Sequence, residues 1–217
     1  MKKLIEALLN LLYPPRCPFC RKFLDGHARI CTQCLKKLPY LPEEMQDRRL
    51  KNIDGCYSAL YYRGSVRESI HRYKFGNTPS YAECYAPLLA DCADRNGISC
   101  DIVTWAPLSR KRLRSRGYDQ ARLLAQPLAA HLGVPCERLL VKTRNIRAQS
   151  GTKDVQTRMT NVKDAYAIAG GVDLVGKTVL LVDDIVTSGA TLGECAGVLR
   201  RAGAEKIFAL TLACTMD

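Results

Sequence analysis

The chain has 217 residues, of which 47% are hydrophobic and 25% are charged, and its formal net charge is +12. This composition excludes a largely disordered chain, and the length allows one sizeable α/β domain with a small appendage. The positive charge favours polyanionic partners, namely nucleic acid, an anionic membrane surface or phosphorylated small molecules, without choosing among them.

The first predicted element is a short amphipathic helix, in which leucine and isoleucine residues between positions 4 and 12 share one face and Pro14-Pro15 end the helix. We expect this helix to pack on the body of the protein or, alternatively, to meet a partner or a membrane surface. Glu6 and Asn10 interrupt the apolar run, which argues against a signal peptide. No segment has the roughly 20 apolar residues that a transmembrane helix needs, so we predict a cytoplasmic protein.

Four of the eleven cysteines form a regular pattern in the stretch CPFCRKFLDGHARICTQC. Cys17, Cys20, Cys31 and Cys34 make two C-x-x-C pairs, which supply the four thiolates that a structural zinc ion prefers. The pairs are ten residues apart, enough for a hairpin that turns at Asp25-Gly26. The sequence therefore predicts a zinc ribbon, and the other seven cysteines are interpreted as small buried hydrophobic residues in a reducing compartment.

The predicted ribbon region is also basic. Residues 1–40 contain eight lysines and arginines but only two acids, Glu6 and Asp25. These basic side chains either only face solvent or form a contact surface for nucleic acid. In the second case Phe19, Phe23 and Tyr40 could stack on bases, although they could equally pack within the ribbon.

Beyond residue 40, strands alternate with helices, so we predict two domains, residues 1–40 and residues 41–217. Such alternation predicts an α/β fold with a mostly parallel sheet flanked by helices. The predicted strands are IDGCYSALYY, DIVTWAP, TVLLV and KIFALTL, and the predicted helices cover 66–73, 81–94, 118–131 and 190–201.

The most informative stretch is TVLLVDDIVTSGATL, in which an apolar strand leads to two carboxylates and then to small and hydroxyl residues. Ligands of parallel α/β sheets bind beyond the carboxyl ends of the strands, where Asp183 and Asp184 are expected. The 187–191 turn opens a helix, so its N–H groups would hold a phosphate that Gly189 lets approach closely. Since a phosphate would repel the carboxylates, we expect Asp183 and Asp184 to accept hydrogen bonds from ribose hydroxyls instead. The turn and the two acids together are therefore predicted to bind a sugar phosphate.

Two further polar segments suit an anionic substrate. SRKRLRSRGYDQ carries five basic residues, among them Arg110, Arg112 and Arg116, directly after a predicted strand. KTRNIRAQSGTKDVQTRMTN, residues 142–161, shows no apolar period, and such long loops are often functional lids or disordered segments. Either segment could instead be a solvated surface.

The stretch VLLVDDIVTSGATL resembles the ribose-phosphate signature of type I phosphoribosyltransferases. Together with the ribbon, YKFGN, APLSRKRLRSRGYDQA and AQSGTKDVQTRMTNVKDAY, it makes nearly the whole chain similar to the ComF family of competence-associated proteins. The resemblance implies a type I phosphoribosyltransferase-like parallel sheet with a small N-terminal zinc ribbon. The chain departs from the family pattern at three positions: Asp119, where asparagine is usual, Thr152, where leucine is common, and Ser188, where threonine is more frequent. Asp119 adds negative charge beside the proposed pyrophosphate site.

The resemblance also assigns roles to individual residues. Asp183 and Asp184 would hold the ribose hydroxyls of phosphoribosyl pyrophosphate, directly or through water bound to Mg²⁺, and the 106–110 turn would hold the pyrophosphate. Arg110 and Arg116 would steady the departing charge and so form the catalytic set with the two aspartates. The substrate-binding set comprises Asp183, Asp184, Thr187, Ser188, Gly189, Ala190, Thr191, Lys74 and Arg144. Gln149, Arg158 and Asn161 match, with Arg144, a mobile segment of the family.

Two functions follow from the resemblance. The chain would be a phosphoribosyltransferase, a glycosyltransferase of the pentosyl class, that uses structural Zn²⁺ and substrate-bound Mg²⁺ and acts on an unidentified acceptor. Alternatively, it would bind single-stranded DNA during DNA uptake and transformation, together with DNA-processing proteins, and its sugar-phosphate pocket would be regulatory or non-catalytic. The two functions can coexist.

Overall fold

The computed structural model of the protein describes residues 14–24, 28–42, 48–143 and 164–215. The predicted N-terminal helix, the Asp25-Gly26 turn and nearly all of the 142–161 segment lie outside these described residues. Among the helices within them, none has the length and apolar character needed to cross a membrane.

Four parallel strands form the central sheet. The strands of the described residues are β1 (Gly55–Tyr61), β2 (Ile102–Trp105), β3 (Leu140–Lys142), β4 (Tyr166–Ile168), β5 (Thr178–Val186) and β6 (Lys206–Cys214). The parallel sheet has the order β1-β6-β5-β2, which confirms the predicted architecture. β3 and β4 form a separate antiparallel pair with Lys142 opposite Tyr166. The sequence analysis missed this pair because three residues are too few to show a period.

Helices flank both faces of the parallel sheet. The helices of the described residues are α1 (Thr32–Lys37), α2 (Gly64–Phe75), α3 (Tyr81–Arg95), α4 (Arg110–Arg116), α5 (Gln120–Leu132) and α6 (Ala190–Arg201), of which α2, α3, α5 and α6 pack on the sheet. The basic SRKRLRSR stretch was not predicted to be helical. It forms α4 because Ser109 caps the N-terminus by accepting from the Arg112 N–H, and Gly117, at φ 83°, ends the helix.

The residues of β5 alternate between two hydrophobic cores. Leu180 and Val182 pack with the core that includes α2, α3 and α5, whereas Val179 and Leu181 pack with the core that includes α6. This arrangement explains why TVLLV is apolar without interruption, since neither face of the strand meets water. The sheet is thus the middle layer of three.

β5 is longer than the sequence predicted. The two acids were expected just past the end of the strand, but pairing with β6 continues to Val186 opposite Cys214. Asp183 and Asp184 therefore lie inside the strand, near its carboxyl end. Because successive strand residues point to opposite faces, the two carboxylates leave the strand on different sides.

The cysteine ribbon packs on the same core as α2 and α3. Cys17, Phe19 and Leu24 belong to that hydrophobic cluster, and the Phe19 ring lies 6.0 Å from the Tyr85 ring, centroid to centroid. A guanidinium nitrogen of Arg72 donates to the Pro18 carbonyl at 2.8 Å. A boundary near residue 40 remains a prediction, but the ribbon and the sheet domain share buried surface.

Candidate functional site

A cavity of about 330 Å³ lies at the carboxyl edge of the parallel sheet. The ends of β2 and β5, the C-terminus of α2, the start of α5 and the β3–β4 pair all contribute to its lining. Charged side chains that face it are the cations Lys74, Arg112, Arg116 and Lys142 and the carboxylates Asp119, Asp183 and Asp184. We call it the acid cavity. Its described lining has more cations than carboxylates, which suits an anionic ligand.

Asp184 is paired with a lysine from a helix far away in sequence. It is 7% exposed, and its Oδ1 atom lies 2.8 Å from Lys74 Nζ, which comes from the last turn of α2. A buried carboxylate is costly unless it is paired, so the contact with Lys74 offsets the cost of placing this acid within the strand. The sequence analysis assigned Lys74 to substrate, whereas the structure gives it Asp184 as its partner.

Asp183 lies on the other side of the strand and is held differently. Its Oδ1 atom accepts from the Asp184 N–H at 2.8 Å. Burial and then the charge of Asp184 raise the pKa of Asp183 to about 8, and Lys74 opposes them only in part. Asp183 therefore keeps its proton to a higher pH than an ordinary aspartate does.

The β3–β4 pair brings a second lysine to the acid cavity. Lys142 donates from Nζ to the Tyr166 hydroxyl at 2.7 Å, and both side chains line the cavity. Burial and the charge of Arg112 lower the pKa of Lys142, while Asp183 acts in the opposite direction. Neither Lys142 nor Tyr166 was predicted as a site residue. The only sequence signal was that Lys142 begins the polar 142–161 segment and that Tyr166 ends the family-like stretch AQSGTKDVQTRMTNVKDAY.

Asp119, which departs from the family pattern, has a structural role. Its Oδ1 atom caps α5 by accepting from the Arg122 N–H at 3.4 Å, and its Oδ2 atom accepts from the Leu108 N–H at 3.1 Å. Burial raises the pKa of Asp119, and these two N–H groups lower it. The carboxylate thus ties the 106–110 turn to α5, a role that an asparagine oxygen could fill only in part.

The arginines of α4 divide into two groups. Arg116 and Arg112 line the acid cavity, and the Arg116 guanidinium lies 4.9 Å above the Phe75 ring. Arg110, predicted to be catalytic, is exposed on the first turn of α4 and is not among the described residues that line the cavity. Arg144, predicted to bind substrate, lies outside the described residues.

The 187–191 turn separates the acid cavity from a second cavity. Thr187 and Thr191 line the acid cavity, whereas Ser188, Gly189 and Ala190 line a neighbouring cavity of about 700 Å³ that residues 49–52 also border. Gly189 is the N-cap residue just before α6 and has φ 73°, and a Cβ atom there would overlap the Leu50 side chain. The left-handed backbone and the contact with Leu50 thus both favour glycine here, while the close phosphate approach expected from sequence stays a prediction.

The four ribbon cysteines meet at one point. Their sulfur atoms all lie within 4.8 Å of one another, and the Cys20 and Cys31 sulfurs are 3.6 Å apart. Four thiolates at ~2.3 Å from a tetrahedral zinc ion would be ~3.8 Å apart, so the arrangement fits structural Zn²⁺. The Cys34 N–H points to the Cys31 sulfur at 3.4 Å, an outer contact that orients the ligand.

Comparison with known proteins matches both parts of the chain. A double zinc ribbon domain matches residues 8–45, and a phosphoribosyl transferase domain matches residues 119–216. Competence protein F of Haemophilus influenzae is 30% identical over 200 residues, which cover 89% of this chain and 82% of that protein. The chain belongs to the ComF family.

Further ComF relatives and one solved structure extend the comparison. DNA utilization protein YhgH of Escherichia coli is 27% identical over 88% of this chain and 80% of its own length. Competence protein ComFC of Streptococcus pneumoniae is 27% identical over 84% of this chain and 79% of its own length. In a comparison of structures, adenine phosphoribosyltransferase from Thermoanaerobacter pseudethanolicus matches this chain with a TM-score of 0.42 and 16% sequence identity. The match covers 84% of this chain and 99% of that chain.

Proposed function

We propose that the acid cavity of this ComF protein binds phosphoribosyl pyrophosphate together with Mg²⁺ and transfers the phosphoribosyl group to an acceptor. The observation that carries the proposal is the content of one cavity. It combines two adjacent strand acids, a hydroxyl-bearing turn at a helix N-terminus, and four cations. A sugar carrying phosphates at both ends needs such a combination, because its hydroxyls donate to carboxylates and its phosphates require cations and N–H groups.

The parts of the substrate would be divided among the parts of the cavity. Asp183 and Asp184 would accept from the ribose hydroxyls, and the 187–191 turn would hold the 5′-phosphate. Arg116, Lys74 and the 106–110 turn would face the pyrophosphate. When the bond between the sugar carbon and pyrophosphate breaks, positive charge develops on the sugar, which the acids stabilise, and negative charge leaves on pyrophosphate, which the cations stabilise.

The donor set fits Mg²⁺ that arrives with the substrate. Among the described residues the cavity offers two strand carboxylates, one of them already paired with Lys74, which is fewer than the six oxygen ligands that the ion prefers. Phosphate oxygens and water would supply the others, and the ion would neutralise pyrophosphate charge. The protein's own task is then to hold the sugar, orient the two phosphates and exclude water.

Isothermal titration calorimetry with phosphoribosyl pyrophosphate and Mg²⁺ tests the proposal. We expect wild-type heat at ~1 mM ligand and none from the Asp183→Asn, Asp184→Asn double variant. The matched control changes two exposed acids of α3, Asp91→Asn and Asp94→Asn, and should bind as wild type does. Absence of wild-type heat contradicts the proposal, as does unchanged binding by the site variant.

A second function, binding of single-stranded DNA, is favoured by the surface of the ribbon. Arg16, Arg21 and Arg29 line a cavity of about 650 Å³ between the ribbon and the start of α3. The Arg16 guanidinium lies 3.9 Å above the ring of Phe23, which is 57% exposed. Exposed aromatic rings beside arginines are typical of surfaces on which bases stack and phosphates bind. The names of the relatives refer to competence and to DNA utilization.

A salt titration with a labelled oligothymidylate tests this second function. Replacing Arg16 and Arg21 by glutamine should reduce the slope of log affinity against log salt by ~1.4, since each phosphate contact to a single strand contributes ~0.7. The control replaces Lys177 and Lys206 by glutamine; these lysines are exposed at the amino ends of β5 and β6, and their loss should leave the slope unchanged. Equal slopes for the two variants exclude the ribbon as the DNA contact.

A further inference from the structure

Lys142 brings a positive charge into the acid cavity without a carboxylate to balance it. It is the last residue of β3 and lies opposite Tyr166 in β4. Its Nζ atom donates to the Tyr166 hydroxyl at 2.7 Å and lies 4.6 Å from the centre of that ring. Within the described part of the chain Lys142 makes no ion pair, whereas Lys74 pairs with Asp184 in the same cavity. A half-buried ammonium group without a counter-charge is costly, so its presence points to an anion from outside.

A second cation without a carboxylate partner faces the same cavity. Arg112 comes from α4, which follows the 106–110 turn, and it lines the acid cavity beside Lys142. No carboxylate of the described residues pairs with its guanidinium group. Burial and, after it, the charge of Arg112 lower the pKa of Lys142, so the two cations are close enough for one to act on the other. An anion bound between them would remove this repulsion.

Tyr166 determines where the ammonium group of Lys142 is held. Tyr166 is 6% exposed, and its hydroxyl takes one of the three ammonium hydrogens. Burial raises the pKa of the Tyr166 phenol, and a hydrogen bond with the Thr191 side chain opposes this rise. The phenol therefore lies between Lys142 and the 187–191 turn, and both of these line the cavity. The other two ammonium hydrogens have no partner among the described residues, which leaves them for a ligand.

We propose that Lys142 and Arg112 together bind one phosphoryl group of the ligand, and that Tyr166 is the positioning residue that holds the ammonium group toward it. Charge-assisted hydrogen bonds from an ammonium and a guanidinium group suit the charge of a phosphate. The inference rests on the proposed function, since this group would belong to phosphoribosyl pyrophosphate. The subsite lies between the 187–191 turn, which Tyr166 contacts, and the 106–110 turn, which precedes α4. Its occupant is accordingly the 5′-phosphate or the pyrophosphate, and two probes distinguish them.

Calorimetry with inorganic pyrophosphate and Mg²⁺, and separately with ribose 5-phosphate, tests the subsite. Lys142→Met and Arg112→Gln each remove one cation. Both variants should bind the same one of the two probes about 10- to 100-fold more weakly than wild type, the range for a lost hydrogen bond to a charged group. The control Arg114→Gln removes an equal charge from an exposed residue of α4 that is not among the described residues lining the cavity. It should bind both probes as wild type does.

Tyr166→Phe tests the positioning role, because it keeps the buried ring and removes the hydroxyl that accepts from Lys142. This variant should weaken binding of the same probe. In a Lys142→Met background it should cost no further affinity, since the hydroxyl acts through the ammonium group. An equal loss in the two backgrounds shows that Tyr166 acts by packing alone and contradicts the positioning role.

The outcomes separate this inference from the function on which it rests. Unchanged affinity for both probes in Lys142→Met or Arg112→Gln overturns the subsite, as do losses on different probes or a wild type that binds neither probe. Equal losses for both probes, with a lower melting temperature, identify a structural role and also overturn it. If wild type binds one probe through the two cations but does not bind phosphoribosyl pyrophosphate, the subsite stands and the proposed function fails. If wild type and both variants bind phosphoribosyl pyrophosphate equally, the function stands and the subsite fails.

Discussion

Gly189 allows a quantitative test of how the 187–191 turn is built. Gly189→Ala places a Cβ atom on a residue with φ 73° and against the Leu50 side chain. The left-handed backbone costs a non-glycine residue ~1–2 kcal/mol, and displacing the Leu50 side chain to admit the extra methyl costs ~1–3 kcal/mol. We therefore expect the variant to lose ~2–5 kcal/mol of unfolding free energy.

A second substitution separates the two contributions. In a Leu50→Ala background the overlap disappears while the backbone cost remains, so Gly189→Ala should cost only ~1–2 kcal/mol there. The coupling energy between the two sites is then ~1–3 kcal/mol. Gly97→Ala provides an independent control, because Gly97 has φ 58° and open space around its Cβ position, and it should show the backbone cost alone.

Equilibrium urea unfolding measures these differences, provided that the m-value stays constant among the variants. A loss below ~1 kcal/mol for Gly189→Ala would show that the turn tolerates a side chain, contrary to the backbone argument. An equal loss in the two Leu50 backgrounds would refute the contact between residue 50 and the turn. In that case Leu50 would not form the wall of the second cavity next to Gly189.

Three further predictions concern the acid pair and the ribbon. Lys74→Met leaves Asp184 unpaired and should cost ~2–4 kcal/mol, most of which Asp184→Asn in the same chain should restore; urea unfolding that shows no restoration would contradict the pairing. Because the pKa of Asp183 is raised to about 8, the folded state keeps a proton that the unfolded state releases above about pH 4, so this residue makes stability fall from about pH 4 to about pH 8. Asp183→Asn should therefore gain stability relative to wild type across that range, and melting curves that run parallel at all pH values would exclude the shift. The ribbon should bind one zinc ion per chain by elemental analysis. Because the ribbon shares the core of the sheet domain, Cys31→Ser or chelation should lower the melting temperature of the whole protein. Loss of ribbon structure with an unchanged melting temperature would show that the shared core does not stabilise the sheet domain.

The elements that the sequence predicted well share one property, which is that their signal lies in contiguous residues. Two C-x-x-C pairs determine a four-sulfur site by spacing alone, and the described sulfurs do converge. The parallel sheet and the start of α6 at Ala190 were both indicated by one pattern, an uninterrupted apolar strand followed by small residues and an amphipathic helix. The structure confirms both. Local backbone preferences and hydrophobic periodicity carry this information without any knowledge of distant partners.

The end of β5 shows where the local pattern failed. Carboxylates normally end a buried strand, so the sequence analysis placed Asp183 and Asp184 beyond it. The strand continues because Lys74 pairs with one acid and burial raises the pKa of the other, and both conditions depend on elements far away in the chain. Pairing with β6 then extends the strand to Val186.

Only the tertiary structure decided which residues complete the site. Lys142 and Tyr166 meet because two three-residue strands pair on either side of the 142–161 segment, and Arg116 is held at the cavity because Gln120 Oε1 accepts from it. The sequence by itself determined the zinc ligands, the parallel sheet and the approximate position of the acid pair. It could not determine the partners of those acids, because hydrogen bonds and ion pairs between distant segments depend on how the elements pack and leave no periodic trace in the chain.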